Sequence, residues 1–288
     1  MLQLFHSFTL IRASYVQGVG MKLFITLIFT IFLIYSNTFA VAGNSSTDEI
    51  AKYRELLADG NPAELWEMRG EELWKKKIDP KSVSLEQCDL GKGPGIVKGA
   101  YVELPRYFND VNKVMDLEQR LIYCRKNIQG LSHEQAVKIP YGSVGNPSDI
   151  EALVSYITAE SKGMKMAVST KHPLEKEAYE VGKRFFFYRA GSHDFSCATC
   201  HSADEKRIRL QELPNLLNKA DAQKTYTTWP AYRLSQGEVR TMQHRLSDCL
   251  RQQRFPEPIY ASETITALIM FLAKNAEGGI FDAPALKR

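Results

Sequence analysis

The chain has 288 residues, 44% of them hydrophobic, with 37 basic against 33 acidic side chains and a formal net charge of +4. That is the composition of a globular protein with room for two modest cores. So mild a charge, with no basic run interleaved with aromatics, excludes a nucleic-acid binder.

From the N-terminus, Met21-Lys22 precedes the uncharged apolar stretch LFITLIFTIFLIY, and small residues then lead to Ala-Val-Ala at 40–42. A basic start, a short apolar core and an A-x-A site predict a secretory signal over residues 1–42. The apolar run falls short of the roughly 20 residues that cross a bilayer. A retained anchor is the rival reading, and Met21 is a rival start. The mature chain is then expected in a bacterial periplasm, with no membrane span after signal removal. That oxidising compartment permits disulfides.

Residues 61–77 (NPAELWEMRGEELWKKK) have helical periodicity, and Gly70 is followed four positions later by Trp74. Cys88 comes next, in Cys-Asp-Leu-Gly-Lys, with no second cysteine or histidine nearby. The pattern Arg-Leu-x-x-Cys ends at Cys124. Residues 146–163 predict a second amphipathic helix with a good N-cap region.

After a joint near 162–171 the order repeats. Residues 172–191 predict a helix with Pro173 in its first turn and Gly191 at its end. Within it Gly182 is followed four positions later by Phe186. Then come Cys-Ala-Thr-Cys-His at 197–201, Arg-Leu-Ser-Asp-Cys at 245–249 and an apolar helix over 262–279. The shared order predicts two homologous units, 43–165 and 166–288.

In an exported protein Cys-x-x-Cys-His predicts covalent haem c attachment. Cys197 and Cys200 would reach the two vinyl groups, and His201 would face the iron as an axial ligand. A thioredoxin-like dithiol would want a preceding strand. A zinc site would want a second Cys or His pair. Neither is present. Gly182 and Phe186 resemble the helix-crossing positions of class I cytochromes c. The first unit lacks the motif and is expected to hold no haem, leaving Cys88 and Cys124 free to form a disulfide.

Three residues compete for the second axial position: Met242, His244 and Cys249. Met242 would give an ordinary His/Met electron-transfer haem with a raised potential. If 245–249 is helical, Arg245 and Cys249 share one face. The guanidinium would then lower the thiol pKa and hold a small oxyanion by a forked hydrogen bond, with Arg251 and Arg254 adding positive field. An inert buried thiol and a solvated arginine are the plain alternatives.

Three stretches carry a wider resemblance: SLEQCDLGKGPGIVKGAYVELPRYF (84–108), DFSCATCHS (194–202) and TMQHRLSDCLRQQRFPEP (241–258). The chain resembles the SoxA family, the larger subunits of the SoxAX cytochromes that begin periplasmic thiosulfate oxidation. The resemblance implies a mainly α fold of two tandem class I cytochrome c-like domains, the first without haem and stapled by a Cys88–Cys124 disulfide. It implies one covalent haem c per chain on Cys197 and Cys200, with His201 and Cys249 as axial iron ligands. Cys249 would be the active-site cysteine, often a persulfide in the family, and Arg245 the residue that binds the anionic substrate. The implied activity is L-cysteine S-thiosulfotransferase, which joins thiosulfate oxidatively to a cysteine of the SoxYZ carrier. The electrons would leave through haem, by way of the partner cytochrome SoxX. A simple periplasmic electron carrier with His/Met ligation is the alternative.

Overall fold

The computed structural model describes residues 60–208 and 211–288. The expected signal, residues 1–42, lies outside the described residues. Among the described residues no helix is long and apolar enough to cross a membrane. The described residues fall in one compact unit.

Helix α1 (Glu64–Lys75) buries Gly70 and Trp74 and crosses α4 (Asp149–Ala159). Gly70 is needed at that crossing, because a Cβ there would overlap the carbonyl oxygen of Ala152. Between them lie the antiparallel hairpin β1 (Arg106–Phe108) with β2 (Lys113–Met115), helix α2 (Leu117–Asn127) and the single turn α3 (His133–Ala136). Asp116 caps α2 by accepting from the Gln119 amide at 2.8 Å, as Asp at an N-cap should.

The second half repeats the device. Helix α5 (Pro173–Phe187) starts with His172 accepting from the Leu174 amide and crosses α9 (Glu263–Asn275). A Cβ on Gly182 would overlap the carbonyl oxygen of Ala267. Phe186 is fully buried, 5.2 Å from the ring of Phe271. Elements α6 (Cys197–His201), α7 (Lys219–Tyr226) and α8 (Met242–Gln252) lie between these two helices in the chain.

The short strands are invisible to periodicity. β3 (Arg207–Ile208) pairs with β4 (Gln211–Glu212), and β5 (Ala231–Arg233) stands between β6 (Glu238–Arg240) and β7 (Ala285–Lys287). In the parallel β5–β7 pair Arg233 is in register with Lys287.

The two halves are laced together by polar groups. The buried Asp116 carboxylate also accepts from Gln243 at 2.6 Å and Thr266 at 3.1 Å. Glu151, fully buried on α4, accepts from the Gly142 amide at 2.8 Å and from His244 Nδ1 at 3.1 Å, with Arg240 at 3.4 Å. The expected joint is itself bonded: Gly163 and Met166 donate to Phe281 and Gly279, and Gly278 donates back to Met166.

Candidate active site

The Cys-x-x-Cys-His motif is helix α6. Ser196 caps it: its hydroxyl accepts from the Thr199 amide at 3.1 Å, and the Thr199 side chain accepts from the Ser196 amide at 3.0 Å. This reciprocal cap fixes the turn that presents Cys197, Cys200 and His201 together.

His201 is oriented by a group that no sequence pattern marks. Its Nδ1 lies 2.9 Å from the carbonyl oxygen of Pro214. A carbonyl only accepts, so Nδ1 carries the proton and Nε2 keeps its lone pair. Burial lowers the imidazole pKa, the Pro214 bond opposes that, and Arg245 lowers it further. The result favours neutral imidazole, the form that binds metal.

Helix α8 carries the second half of the site. Thr241 caps it, accepting from the His244 amide at 3.2 Å. Cys249 feels the charges of Arg245, Asp248, Cys200 and Arg233. Cys197 is pushed up to about 12 by burial first and by Cys249 next. The fold thus brings Cys197, Cys200, His201, Arg245 and Cys249 into one electrostatic neighbourhood, although α6 and α8 are far apart in the chain.

One expectation needs correcting. Arg245 does lower the Cys249 pKa, but burial is the larger effect and the net shift is upward. The arginine alone does not make a thiolate here. Bonding to a metal would, because a metal deprotonates a coordinating thiol outright.

The other two ligand candidates are engaged elsewhere. Met242 is buried and lines a small cavity with Tyr101, Leu104, Asp116 and Tyr226. His244 is bonded to Glu151, with its ring 4.2 Å from that of Tyr141. His244 therefore faces the first half of the chain, and Met242 a cavity lined from both halves. Among the described residues no three His, Cys, Asp or Glu side chains converge as a metal cluster. A bare tetrahedral zinc would therefore lack its donors, whereas a haem iron asks for only two axial ones.

Arg245 stands 3.7 Å from Asp248 and 6.0 Å from the centre of the Trp229 ring. Arg251 is 71% exposed and is itself paired with Asp248, and Arg254 is exposed. Neither therefore adds much to the field at the sulfur. Arg233, which periodicity did not single out, is the second arginine that Cys249 feels.

The echo in the first half has the opposite fate. Cys124 is bonded to Cys88, with Cα atoms 5.7 Å apart, an ordinary separation for a disulfide. Arg120 holds the place that Arg245 holds in α8, but it is only 4% exposed. It is paired with Asp110 at 2.8 Å, donates to the Asp89 carbonyl at 2.7 Å and lies 4.1 Å from the centre of Phe108.

Residues 69–166 match the family described as the SoxA/TsdA cytochrome c domain. Over 274 residues the chain is 47% identical to the L-cysteine S-thiosulfotransferase subunit SoxA of Hydrogenophilus thermoluteolus, covering 93% of this chain and 100% of that one. It is 32% identical to a SoxA subunit of Hydrogenobacter thermophilus over 265 residues, covering 90% and 97%. The crystal structure of SoxXA from P. pantotrophus shares the fold, with a TM-score of 0.67, 24% identity, and coverage of 82% and 84%.

Proposed function

The chain belongs to the SoxA family of L-cysteine S-thiosulfotransferase subunits, and on that premise we propose a role for each residue of its site. The protein acts in thiosulfate oxidation as a subunit with haem c, rather than as a simple electron carrier. Cys197 and Cys200 would hold one haem covalently, and His201 and Cys249 would bind its iron. The first unit, 43–165, holds none. Its Arg120 is paired with Asp110 and its Cys124 is bonded to Cys88, so the counterparts of Arg245 and Cys249 are not available there.

The reaction joins the sulfane sulfur of thiosulfate to a carrier cysteine of SoxYZ. One S–S bond forms, the cysteine S–H bond breaks, one proton leaves and two electrons are withdrawn. A haem held there would supply a one-electron acceptor through which those electrons could leave toward the SoxX partner. The chain's own residues do the rest. Arg245 binds and orients the anion beside the sulfur of Cys249. Pro214 keeps the Nδ1 proton of His201 in place. Glu151 and Asp116 anchor α8 to the first half through His244 and Gln243. The periplasm is the compartment this reading requires.

The observation that carries this reading is the division of α8. His244 is held by Glu151 of the first half and Met242 lines a cavity built from both halves, whereas Arg245 and Cys249 act on the side chains of the Cys-x-x-Cys-His turn. The test is Cys249→Ser in the assembled complex. Its turnover with thiosulfate and carrier should be lost, its haem should stay attached, and its ferric spectrum should change. An unaltered spectrum would remove Cys249 from the iron.

A further inference from the structure

Arg245 by itself does not make a cationic site. Asp248 stands 3.7 Å from it and also holds Arg251 and Gln252. Arg245 and Asp248 together are close to neutral, and a Cys249 thiolate would add negative charge. A doubly charged anion needs more positive charge than that.

Arg233 stands where it is needed. It ends strand β5, half-buried. Its guanidinium makes no hydrogen bond or ion pair among the described residues, and the strongest charge acting on it is the like charge of Arg245, which Asp248 and Cys249 oppose and Arg240 reinforces. Removing an unpaired guanidinium from water is costly, and placing it near other cations adds to the cost. A fold that keeps such an arrangement loses stability there, as binding sites for anions do.

Lys287 completes the cluster. It is in register with Arg233 across the β5–β7 pair. Its Nζ is 5.6 Å from the centre of the Trp229 ring, the ring that Arg245 approaches to 6.0 Å. Arg245 and Lys287 therefore both approach Trp229, Arg233 is in register with Lys287, and Arg233 and Arg245 both act on Cys249.

We propose that Arg233, assisted by Lys287, is a second anion-binding residue of the Cys249 site, and that it selects a doubly charged sulfur oxyanion over a singly charged one of the same shape. This rests on the reading of Cys249 as the reacting sulfur. Arg245 alone would hold either anion, whereas the extra cations reward the second charge.

The experiment compares thiosulfate with methanethiosulfonate, which keeps the sulfane sulfur but carries one charge fewer. Binding of each anion to the haem-loaded complex is measured by calorimetry, and turnover of thiosulfate is followed separately. Arg233→Gln should weaken thiosulfate binding about tenfold, as expected for losing a hydrogen bond to a charged group, and should leave methanethiosulfonate within about twofold. Arg233→Lys should recover most of the loss. Lys287→Gln, at a half-exposed position, should shift thiosulfate binding about threefold in the same direction and serves if the Arg233 variants do not fold. An equal loss for both anions, or unchanged thiosulfate binding in these variants, overturns the proposal. Normal binding without turnover in the unaltered complex would instead count against the sulfur-transfer reading.

Discussion

Gly182 lies directly against the carbonyl of Ala267, and no room is left there for a methyl group. This contact sets how closely α5 approaches α9, and so where Phe186 and the Cys-x-x-Cys-His turn sit. Gly70 stands in the same relation to Ala152 in the first half.

Gly182→Val should therefore force the helices apart. Overpacking of this kind costs about 1–3 kcal/mol, and here the obstacle is backbone that cannot rotate away. Thermal unfolding of the haem-loaded protein should show a drop of several degrees. An unchanged midpoint would mean that the crossing is looser than described.

Arg245 and Arg251 lie on the same helix, both near Asp248, but they should behave differently. Arg245→Ala should cut thiosulfate turnover about 10–100-fold, the value of hydrogen bonds to a charged ligand, with the haem spectrum preserved. Arg251→Ala should stay within about twofold, because that side chain is solvated and screened. Steady-state rates with the carrier separate the two outcomes, and equal losses would remove Arg245 from the site.

Glu118 is buried, and one of its carboxylate oxygens has no partner. Burial raises its pKa well above the usual value, and the neighbouring Asp116 raises it further. A carboxyl whose folded pKa is raised favours folding below its unfolded pKa, near 4.5. That contribution is lost as pH rises from there through the folded pKa. Glu118→Gln should therefore stabilise the protein at neutral pH and flatten its loss of stability as pH rises above 5. Denaturant titrations at pH 5 and pH 8 measure both effects, and a variant less stable at pH 8 would contradict the argument.

The Cys88–Cys124 bridge spans a sequence separation of 36. By loop-closure entropy it should contribute about 2–4 kcal/mol. The double variant Cys88→Ser/Cys124→Ser should lose that much stability while keeping its full haem content and turnover. A drop in haem content to match would show that the first half does more than support the second.

Several features were legible in the sequence because each is a local pattern with a local cause. Cys-x-x-Cys-His is one turn of helix with its own cap. Arg245 and Cys249 share a face because a helix repeats every 3.6 residues. Gly70 with Trp74, and Gly182 with Phe186, mark helix faces that must pack closely. The short strands left no such trace, since runs of two or three residues are too brief for a period to show. Pro214 was also hidden, because it acts through a backbone carbonyl, a group that every residue has.

Only the tertiary structure decided which distant groups meet. It turned His244 toward Glu151 and Met242 into a cavity beside Asp116, and left Cys249 within electrostatic reach of Cys197 and Cys200. It placed Arg233 and Lys287 in register on neighbouring strands, with Lys287 beside Trp229. It also reversed the expected balance at the Cys249 thiol, because an adjacent arginine can be read from spacing but burial cannot. Burial depends on what the rest of the chain packs around an atom, and a desolvated sulfur is governed more by the water it has lost than by one charge nearby.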